Sequence, residues 1–282
     1  MKKISASLVL YNTSVDQIKR VLDSLEASEL IEILYVVDNS PKDSLQDLFG
    51  ANWIKYSHIG SNPGYGASHN MAMRQAIDFF DYHLVLNPDI YFDSGELRKA
   101  IERMNQDEKI GHLMPRILNT DGSIQCLCKL LPTPLDLIIR RFSFWPLVSF
   151  FRKREARYEL RSSGYENEMN VPNLSGCFML LRTSALKVVG LFDERFFMYG
   201  EDVDLTRRIH EKFITLYYPG AIVTHHHARD SYKSLKMLWI HSVNLSRYFN
   251  KWGWFLDKRR AQINRELLNH LSSKAGKRYY QT

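Results

Sequence analysis

The sequence predicts an α/β fold in which a mostly parallel sheet is flanked by helices. Over the first 120 residues, short apolar runs typical of strands alternate with amphipathic stretches typical of helices. Turn residues bound each run, and the spacing leaves room for a helical crossover between successive strands. Polar residues follow the strands directly, and in an open parallel sheet such positions meet at one edge, where ligands bind.

The predicted elements of this half follow in order. The first strand is 4–11, and the helix after it begins at a capping box formed by Ser14 and Gln17. Its apolar face repeats at helical spacing, as the hydrophobic periodicity requires. The remaining elements are strands at 32–37, 53–59 and 83–87 and helices at 68–80 and 95–105.

The second half is less regular. The turn at 119–122 predicts a hairpin between 111–118 and 123–131. Further on, we expect a strand at 174–182, a short helix capped by Thr183, two strands at 214–218 and 221–225, and a helical C-terminus. This gives a main domain at 1–228, with halves at 1–120 and 121–228 and a basic aromatic insert at 132–157, followed by a basic helical region at 229–282.

Composition narrows the class of protein. Hydrophobic residues make up 45% and charged residues 24%, which is typical of a globular chain and excludes a disordered one. The cysteines, at 126, 128 and 177, have no CxxC spacing, so we expect neither a disulfide framework nor a zinc site, and a reducing compartment. The start of the chain lacks a signal-peptide pattern, and charges and a proline interrupt the apolar stretch 135–151, so we expect a cytoplasmic protein without a membrane span.

The net charge of +7 is unevenly distributed. Residues 129–161 carry +5 and residues 229–282 carry +9, which leaves −7 for the rest of the chain. Basic segments on an acidic body indicate an anionic partner, either nucleic acid or a lipid surface.

Three motifs at the predicted sheet edge could bind a ligand, and each has a structural alternative. The loop 62–66 lies at the start of a helix and could bind an anion through its backbone N–H groups, or it could be a plain turn. The glycine-rich sequence is not a dinucleotide-binding fingerprint, because His69 replaces its third glycine. Asp38 could accept a hydrogen bond from a base or ribose, or form a turn before Pro41. Asp89 could hold a divalent cation, or belong to a common turn.

An acidic cluster follows an aromatic run in "RFFMYGEDVDL". Glu201, Asp202 and Asp204 occupy a predicted first helical turn, where the helix dipole favours acids. Alternatively, one of them is a general base and the residues 197–199 exclude water around it. Near the last strand, "THHH" places His225 and His227 on one side, where a histidine could join a metal site or be structural.

Taken in order, these pieces resemble the inverting family 2 glycosyltransferases with the GT-A fold, especially rhamnosyltransferase-type enzymes of bacterial surface polysaccharides. The resemblance covers about residues 4–250. It is carried by "SLVLYN", "VVDNS", "SNPGYGASHN", "LVLNPDIYF", "SGCFMLLRTSALKVVGLFDERFFMYGEDVDLTRRI" and "YYPGAIVTHH".

The resemblance implies a role for each matching residue. Asp202 would be the catalytic base, with Glu201 and Asp204 supporting it. Asp89 would hold Mn²⁺ or Mg²⁺ in a DxD-like motif whose first acid is replaced by Asn87, and His225 would join that metal site. The implied nucleotide-sugar site comprises Tyr11, Asn12, Asp38, Asn62, Gly64, Tyr65, Gly66 and Asn87. Asp38, Asp89 and Asp202 must then face one cavity.

The implied substrates are a nucleoside-diphosphate sugar, with rhamnose favoured, and a glycan acceptor, lipid-linked and part of O-antigen or lipopolysaccharide synthesis. The enzyme would work peripherally at the inner face of the cell membrane, on an anionic surface, and would not bind nucleic acid. Two alternatives remain from the residues themselves. One is a sugar-phosphate nucleotidyltransferase, whose N-terminal glycine-rich loop is missing here; the other is a basic nucleic-acid-binding protein, although no known binding motif is present.

Overall fold

The computed structural model describes residues 2–136, 148–226 and 235–278. Residues 137–147 of the predicted aromatic insert, together with His227, lie outside the described residues. The strands are β1 Ile4–Leu10, β2 Ile33–Asp38, β3 Ile54–His58, β4 Tyr82–Leu86, β5 Ile90–Tyr91, β6 Ile110–Leu118, β7 Cys128–Lys129, β8 Met169–Asn170, β9 Asn173–Leu174, β10 Phe178–Arg182 and β11 Ile214–His225. The helices are α1 Val15–Ser28, α2 Tyr65–Ala76, α3 Ser94–Gln106, α4 Val148–Tyr158, α5 Thr183–Val189, α6 Glu201–His210, α7 Leu235–Trp252 and α8 Lys258–Arg278.

One large sheet organises the described residues, in the order β3-β2-β1-β4-β10-β6-β11-β5, with β8 also pairing with β11. The first four strands are parallel, as the crossover spacing predicts, and β6 and β11 form a second parallel pair. β10 joins the two halves and runs antiparallel to both β4 and β6. The predicted α/β fold is therefore confirmed.

Two apolar clusters cover the opposite faces of this sheet. On one face α1 and α3 pack together over Leu84 and Leu86 of β4. On the other face, Val85 of the same strand packs with Met73 of α2 and Leu205 of α6. Alternate residues of β4 thus point into different clusters, as the pleat of a strand requires.

The capping box predicted for α1 is present. The Gln17 backbone N–H donates to Ser14 Oγ, and the Gln17 side chain accepts from the Ser14 backbone N–H. Thr183, by contrast, is the first residue of α5 and not its cap, because its hydroxyl donates to the carbonyl oxygen of Phe80 at 2.6 Å.

The hairpin predicted after β6 has the expected turn, but its second strand does not continue along β6. One bridge, between Leu118 and Ile124, forms there, and β7 pairs with β9 in a separate two-stranded sheet. β10 pairs with β6 at His112 and Leu113, and the chain after Gln125 leaves β6 because Cys128 and Lys129 pair with β9 instead. The two strands predicted at 214–218 and 221–225 form one strand, β11, with an irregularity between Tyr218 and Ile222.

A buried ion pair fixes the C-terminal helices to this body. Arg207 of α6 donates to both carboxylate oxygens of Asp257, at 2.8 and 3.1 Å, and its guanidinium lies 4.0 Å from the ring centroid of Trp252. Both charged side chains are almost fully buried. Within the described residues, no helix is both long enough and apolar enough to cross a bilayer.

We expect Arg207→Met to lower the free energy of unfolding by about 3 kcal/mol or more, because the Asp257 carboxylate would stay buried without its partner. Urea unfolding followed by circular dichroism would measure this loss. Arg98→Met, at an exposed position of α3, is the matched control and should leave the midpoint unchanged. Equal midpoints for the two variants would contradict a structural role of the pair.

Candidate active site

A cavity of about 1060 Å³ opens at the carboxyl ends of β1 and β4, where the sequence predicts a site. The predicted site residues in its lining are Tyr11, Asn12, Asn62, Tyr65, Asn87, Asp89, Glu201, Asp202 and His225. These side chains come from five separate segments of the chain, so the topology brings together residues that are distant in sequence.

Asp89 and His225 lie beside each other because β5 pairs with the end of β11. The pairing sets Ile90 opposite His225, and Asp89 Oδ1 lies 3.2 Å from His225 Nε2. The other ring nitrogen, Nδ1, lies 2.9 Å from Gln125 Oε1, while Gln125 Nε2 donates to the His225 carbonyl oxygen. Gln125 thus fixes the orientation of the imidazole ring, as neighbours of metal-binding histidines do.

This pair fits a divalent cation. With Gln125 Oε1 as acceptor, the ring nitrogen Nδ1 carries a proton, and when the ring is neutral Nε2 offers its lone pair toward Asp89. Two electron-rich atoms then face each other at 3.2 Å, which is close to the separation of about 3 Å between adjacent ligands in an octahedral Mg²⁺ site. Asp89 Oδ1 is buried and accepts no hydrogen bond within the described ranges.

The residues described contain no cluster of three or more His, Cys, Asp or Glu side chains in a metal-binding arrangement. A cation on Asp89 and His225 would therefore complete its coordination with oxygens from elsewhere. Mg²⁺ sites that use one or two carboxylates together with substrate phosphates have this character.

Asp202 lies on the cavity wall in the first turn of α6. Its Oδ2 accepts from the Gly176 backbone N–H at 3.0 Å, and its Oδ1 accepts from the Val203 N–H at 2.8 Å. A Cβ atom at residue 176 would lie 3.0 Å from the Asp202 Cβ, so a larger residue would have to displace Asp202 by a few tenths of an ångström. Gly176 also accepts, through its carbonyl, a hydrogen bond of 2.7 Å from the Tyr65 hydroxyl.

Glu201 differs from Asp202 in its surroundings. Its side chain is buried, and Oε2 accepts from the Gly200 N–H at 2.9 Å. Burial, and then the neighbouring charge of Asp202, hold the pKa of Glu201 well above its usual range. Glu201 is therefore suited to stay protonated near neutral pH.

The third acid of the cluster, Asp204, lies outside the cavity lining. It is fully buried and accepts from Arg208 Nε at 2.9 Å, from Lys251 Nζ at 2.7 Å and from Trp252 Nε1 at 2.8 Å. Asp204 therefore supports the site indirectly, by holding α6 against α7.

Asp38, predicted to contact the base or ribose, also lies outside the lining. It is fully buried, and its carboxylate accepts from the Ser40 N–H at 2.8 Å and the Tyr56 hydroxyl at 3.0 Å. Ser40 Oγ in turn accepts from the Asn12 N–H at 2.9 Å. These contacts match the alternative interpretation, a turn before Pro41. Through Ser40, they also position the backbone of Asn12.

The glycines of the loop 62–66 are also absent from the lining. Gly64 has a φ of +107°, and a Cβ there would lie 2.4 Å from the Phe197 carbonyl oxygen. A Cβ at Gly66 would lie 2.9 Å from the Phe192 Cβ. These glycines let the loop pack against the segment before α6, and Asn62 and Tyr65 are the loop residues that reach the cavity.

Several lining residues were not predicted from the sequence. They include Gln125, Lys129, Arg161, Gly176, His241 and Leu245. Gly176 had a usable signal, since a glycine between two short apolar strands often marks a close approach of another group. His241 and Leu245 belong to α7, which follows the domain boundary predicted at residue 228.

Comparison with known proteins identifies the family of this chain. The model of the family described as "Glycosyltransferase like family 2" matches residues 10–239. An N-acetylglucosaminyl-diphospho-decaprenol L-rhamnosyltransferase of Mycobacterium tuberculosis is 29% identical over 228 residues, which cover 76% of this chain and 73% of that protein. Rhamnosyltransferase WbbL of Escherichia coli K12 is 28% identical over 232 residues, covering 78% of this chain and 81% of that one.

Among solved structures, the crystal structure of GalNAc-T7 with UDP, GalNAc and Mn²⁺ superimposes with a TM-score of 0.58 at 13% identity. The match covers 80% of this chain but 43% of that one, so the chain spans less than half of that protein. The likeness is one of fold. The family match favours a glycosyltransferase over the nucleotidyltransferase alternative. Because this match spans most of the sequence, the chain belongs to the family 2 glycosyltransferases and has their GT-A fold.

Proposed function

We propose that this protein is a metal-dependent inverting glycosyltransferase. It transfers a sugar, rhamnose by preference, from a nucleoside-diphosphate donor to a hydroxyl of a lipid-linked glycan in O-antigen or capsule-type polysaccharide synthesis. The observation that carries the proposal is that Asp89 and Asp202, from opposite halves of the chain, line one cavity. The names of the two rhamnosyltransferase relatives support the sugar, and the diphospho-decaprenol in one of them supports the acceptor class.

Asp89 and His225 form the donor end of this site. They would hold Mn²⁺ or Mg²⁺, and the neighbour of similar fold whose crystal contains UDP and Mn²⁺ is consistent with that choice. When bound, the cation stabilises the negative charge that develops on the departing diphosphate. Gln125 keeps the imidazole ring turned toward Asp89.

The lining residues Tyr11, Asn12, Asn62, Tyr65 and Asn87 are proposed to bind the nucleotide sugar. Asn12 has a φ of +51°, and its backbone N–H donates to Ser40 Oγ, so its backbone is fixed before a ligand arrives. Three of the predicted residues are proposed to shape the backbone around the nucleotide without contacting it; these are Asp38, Gly64 and Gly66.

Asp202 acts as the general base. The hydrogen bonds from Gly176 and Val203 fix its carboxylate, and each oxygen keeps a lone pair for a further bond. Asp202 removes the proton from the acceptor hydroxyl while that oxygen bonds to the anomeric carbon and the diphosphate leaves from the opposite face. A single displacement of this kind inverts the anomeric centre.

We expect Asp202→Asn to lower kcat by about 10²-fold or more, the usual contribution of a general base. The amide oxygen can still accept from the Gly176 N–H, so the fold should be unchanged. Release of nucleoside diphosphate from a panel of nucleoside-diphosphate sugars, with rhamnose donors included, would measure the loss. Asp23→Asn, at an exposed position of α1, is the control. Wild-type turnover in Asp202→Asn would remove this residue from the mechanism.

Metal removal tests the donor end. Activity should be lost on dialysis against EDTA and return with Mn²⁺ or Mg²⁺, because the diphosphate charge would otherwise be uncompensated. Asp89→Asn should raise the Mn²⁺ concentration for half-maximal activity and weaken Mn²⁺ binding in calorimetry, with Asp23→Asn unchanged. Full activity after exhaustive chelation would contradict the proposed metal dependence.

Glu201→Gln tests the protonation of the buried acid through stability. The folded-state pKa of Glu201 is raised, so the native state keeps a proton that the unfolded state loses, and this group lowers wild-type stability as the pH rises above about 4.3. Glutamine cannot ionise, so the stability of the variant relative to the wild type should increase between about pH 5 and pH 8.

Urea midpoints at both pH values would measure this difference, with the exposed Glu102→Gln on α3 as the control. If the difference between Glu201→Gln and the wild type does not change with pH, Glu201 is ionised in the folded protein, and the assignment of Asp202 as the only carboxylate base loses its support.

A further inference from the structure

The turn between α7 and α8 presents three consecutive apolar side chains to solvent. Trp254 is 40% exposed, Phe255 81% and Leu256 95%. Contiguous exposure of large apolar side chains marks an interaction surface more often than isolated exposure does. We refer to residues 254–256 as the apolar tip.

The apolar tip is held in place by buried polar contacts. The Gly253 N–H donates to the Phe249 carbonyl oxygen at 2.7 Å, and a φ of +101° at Gly253 turns the chain out of α7. Arg260 is buried, and its guanidinium donates to the carbonyl oxygens of Gly253 at 3.2 Å and Trp254 at 3.0 Å. Asp257, also buried, accepts from the Arg260 N–H at 2.9 Å. The framework thus holds Phe255 and Leu256 outward.

Cations follow the apolar tip directly. Lys258 and Arg259 are both exposed at the start of α8, in a C-terminal region that carries a net charge of +9. Apolar side chains next to exposed Lys and Arg are typical of segments that lie in the interface of an anionic bilayer. This charge complementarity favours an anionic lipid surface over a second copy of the same basic chain, which would repel it.

The same framework reaches the wall of the cavity. Arg260 also donates to the Pro132 carbonyl oxygen at 3.3 Å, and the Asn264 side chain exchanges two hydrogen bonds of 2.9 Å with the backbone of Leu131. Pro132 lines the cavity. The apolar tip is therefore connected by a few direct contacts to one wall of the site.

We propose that the apolar tip inserts into the headgroup region of an anionic membrane, with Lys258 and Arg259 against the lipid phosphates. Insertion brings the Pro132 wall of the cavity to the bilayer that carries the acceptor. The insertion itself does not depend on the proposed glycosyl transfer. Only its second consequence, that the cavity comes close to a lipid-linked acceptor, rests on the proposed function.

Flotation of the full chain with vesicles tests the proposal, using phosphatidylcholine alone and phosphatidylcholine mixed with phosphatidylglycerol. The wild type should float with the anionic vesicles. Phe255→Ser/Leu256→Ser should lower the partition coefficient by about tenfold or more, because two apolar side chains no longer leave water. Lys258→Gln/Arg259→Gln should lower it by about fivefold for each charge removed, on anionic vesicles at low salt.

The matched control is Phe79→Ser. Phe79 is 73% exposed but precedes β4, at the sheet edge opposite the cavity, so its loss should leave flotation unchanged. Wild-type flotation of Phe255→Ser/Leu256→Ser would overturn the proposal, as would the absence of any wild-type preference for anionic vesicles. A wild-type dimer that this double variant converts to monomer would show that the apolar tip joins two copies instead.

Flotation needs neither donor nor acceptor, so its outcome does not depend on the proposed transfer. Hydrolysis of the donor in the absence of membranes gives the complementary measurement. It should be unchanged in the double variant of the apolar tip, and a loss there would indicate that the substitution disturbs the fold and not a membrane contact.

Discussion

The position of α6 is the constraint on which the site depends. Asp204, buried without any exposure, accepts hydrogen bonds from Arg208 on its own helix and from Lys251 and Trp252 on α7. A buried carboxylate is tolerated only when such partners satisfy it. These hydrogen bonds therefore fix the position of α6 between the sheet and α7. Asp202 lies two residues earlier in the same turn, so the position of α6 also determines the position of Asp202 on the cavity wall.

Backbone atoms make the second set of constraints. Gly176 donates its N–H to Asp202 and accepts from Tyr65 through its carbonyl oxygen, so the backbone of one residue joins α2, the β9–β10 connection and α6. Gly64 packs in the same way against the backbone of Phe197. Cavity walls assembled through peptide groups leave the side chains free to face a ligand. The glycines in the sequence motifs therefore report where chain segments touch each other.

Much of the fold could be predicted because its signals are local. Strand and helix periodicity, the capping box at Ser14 and the apolar face of α6 depend on neighbours in sequence, and the carboxyl-edge rule placed Asp89 and Asn12 on the cavity. Asp38 shows the limit of such signals. A ligand contact and a turn before proline require the same residue types, and the structure shows the contacts of the turn, with Ser40 and Tyr56.

Other residues depended on long-range pairing that no local pattern encodes. Gln125 reaches His225 because the turn after β6 sends the chain back toward β11. The predicted hairpin does not continue because Cys128 and Lys129 pair with β9, which comes later in the chain. His69 stands where a third glycine would complete a dinucleotide fingerprint, and in the structure it is buried with Nδ1 2.7 Å from Ser7 Oγ in β1.

The insertion of β10 between β4 and β6 has a consequence for biosynthesis. The first four strands are complete once residue 86 leaves the ribosome, but the free side of β4 stays unpaired until residues 178–182 are made. At about 5–20 residues per second, that interval lasts several seconds. An unpaired strand edge invites association with other nascent chains, so the order of strands in this sheet makes chaperone protection most valuable during translation of the middle third of the polypeptide.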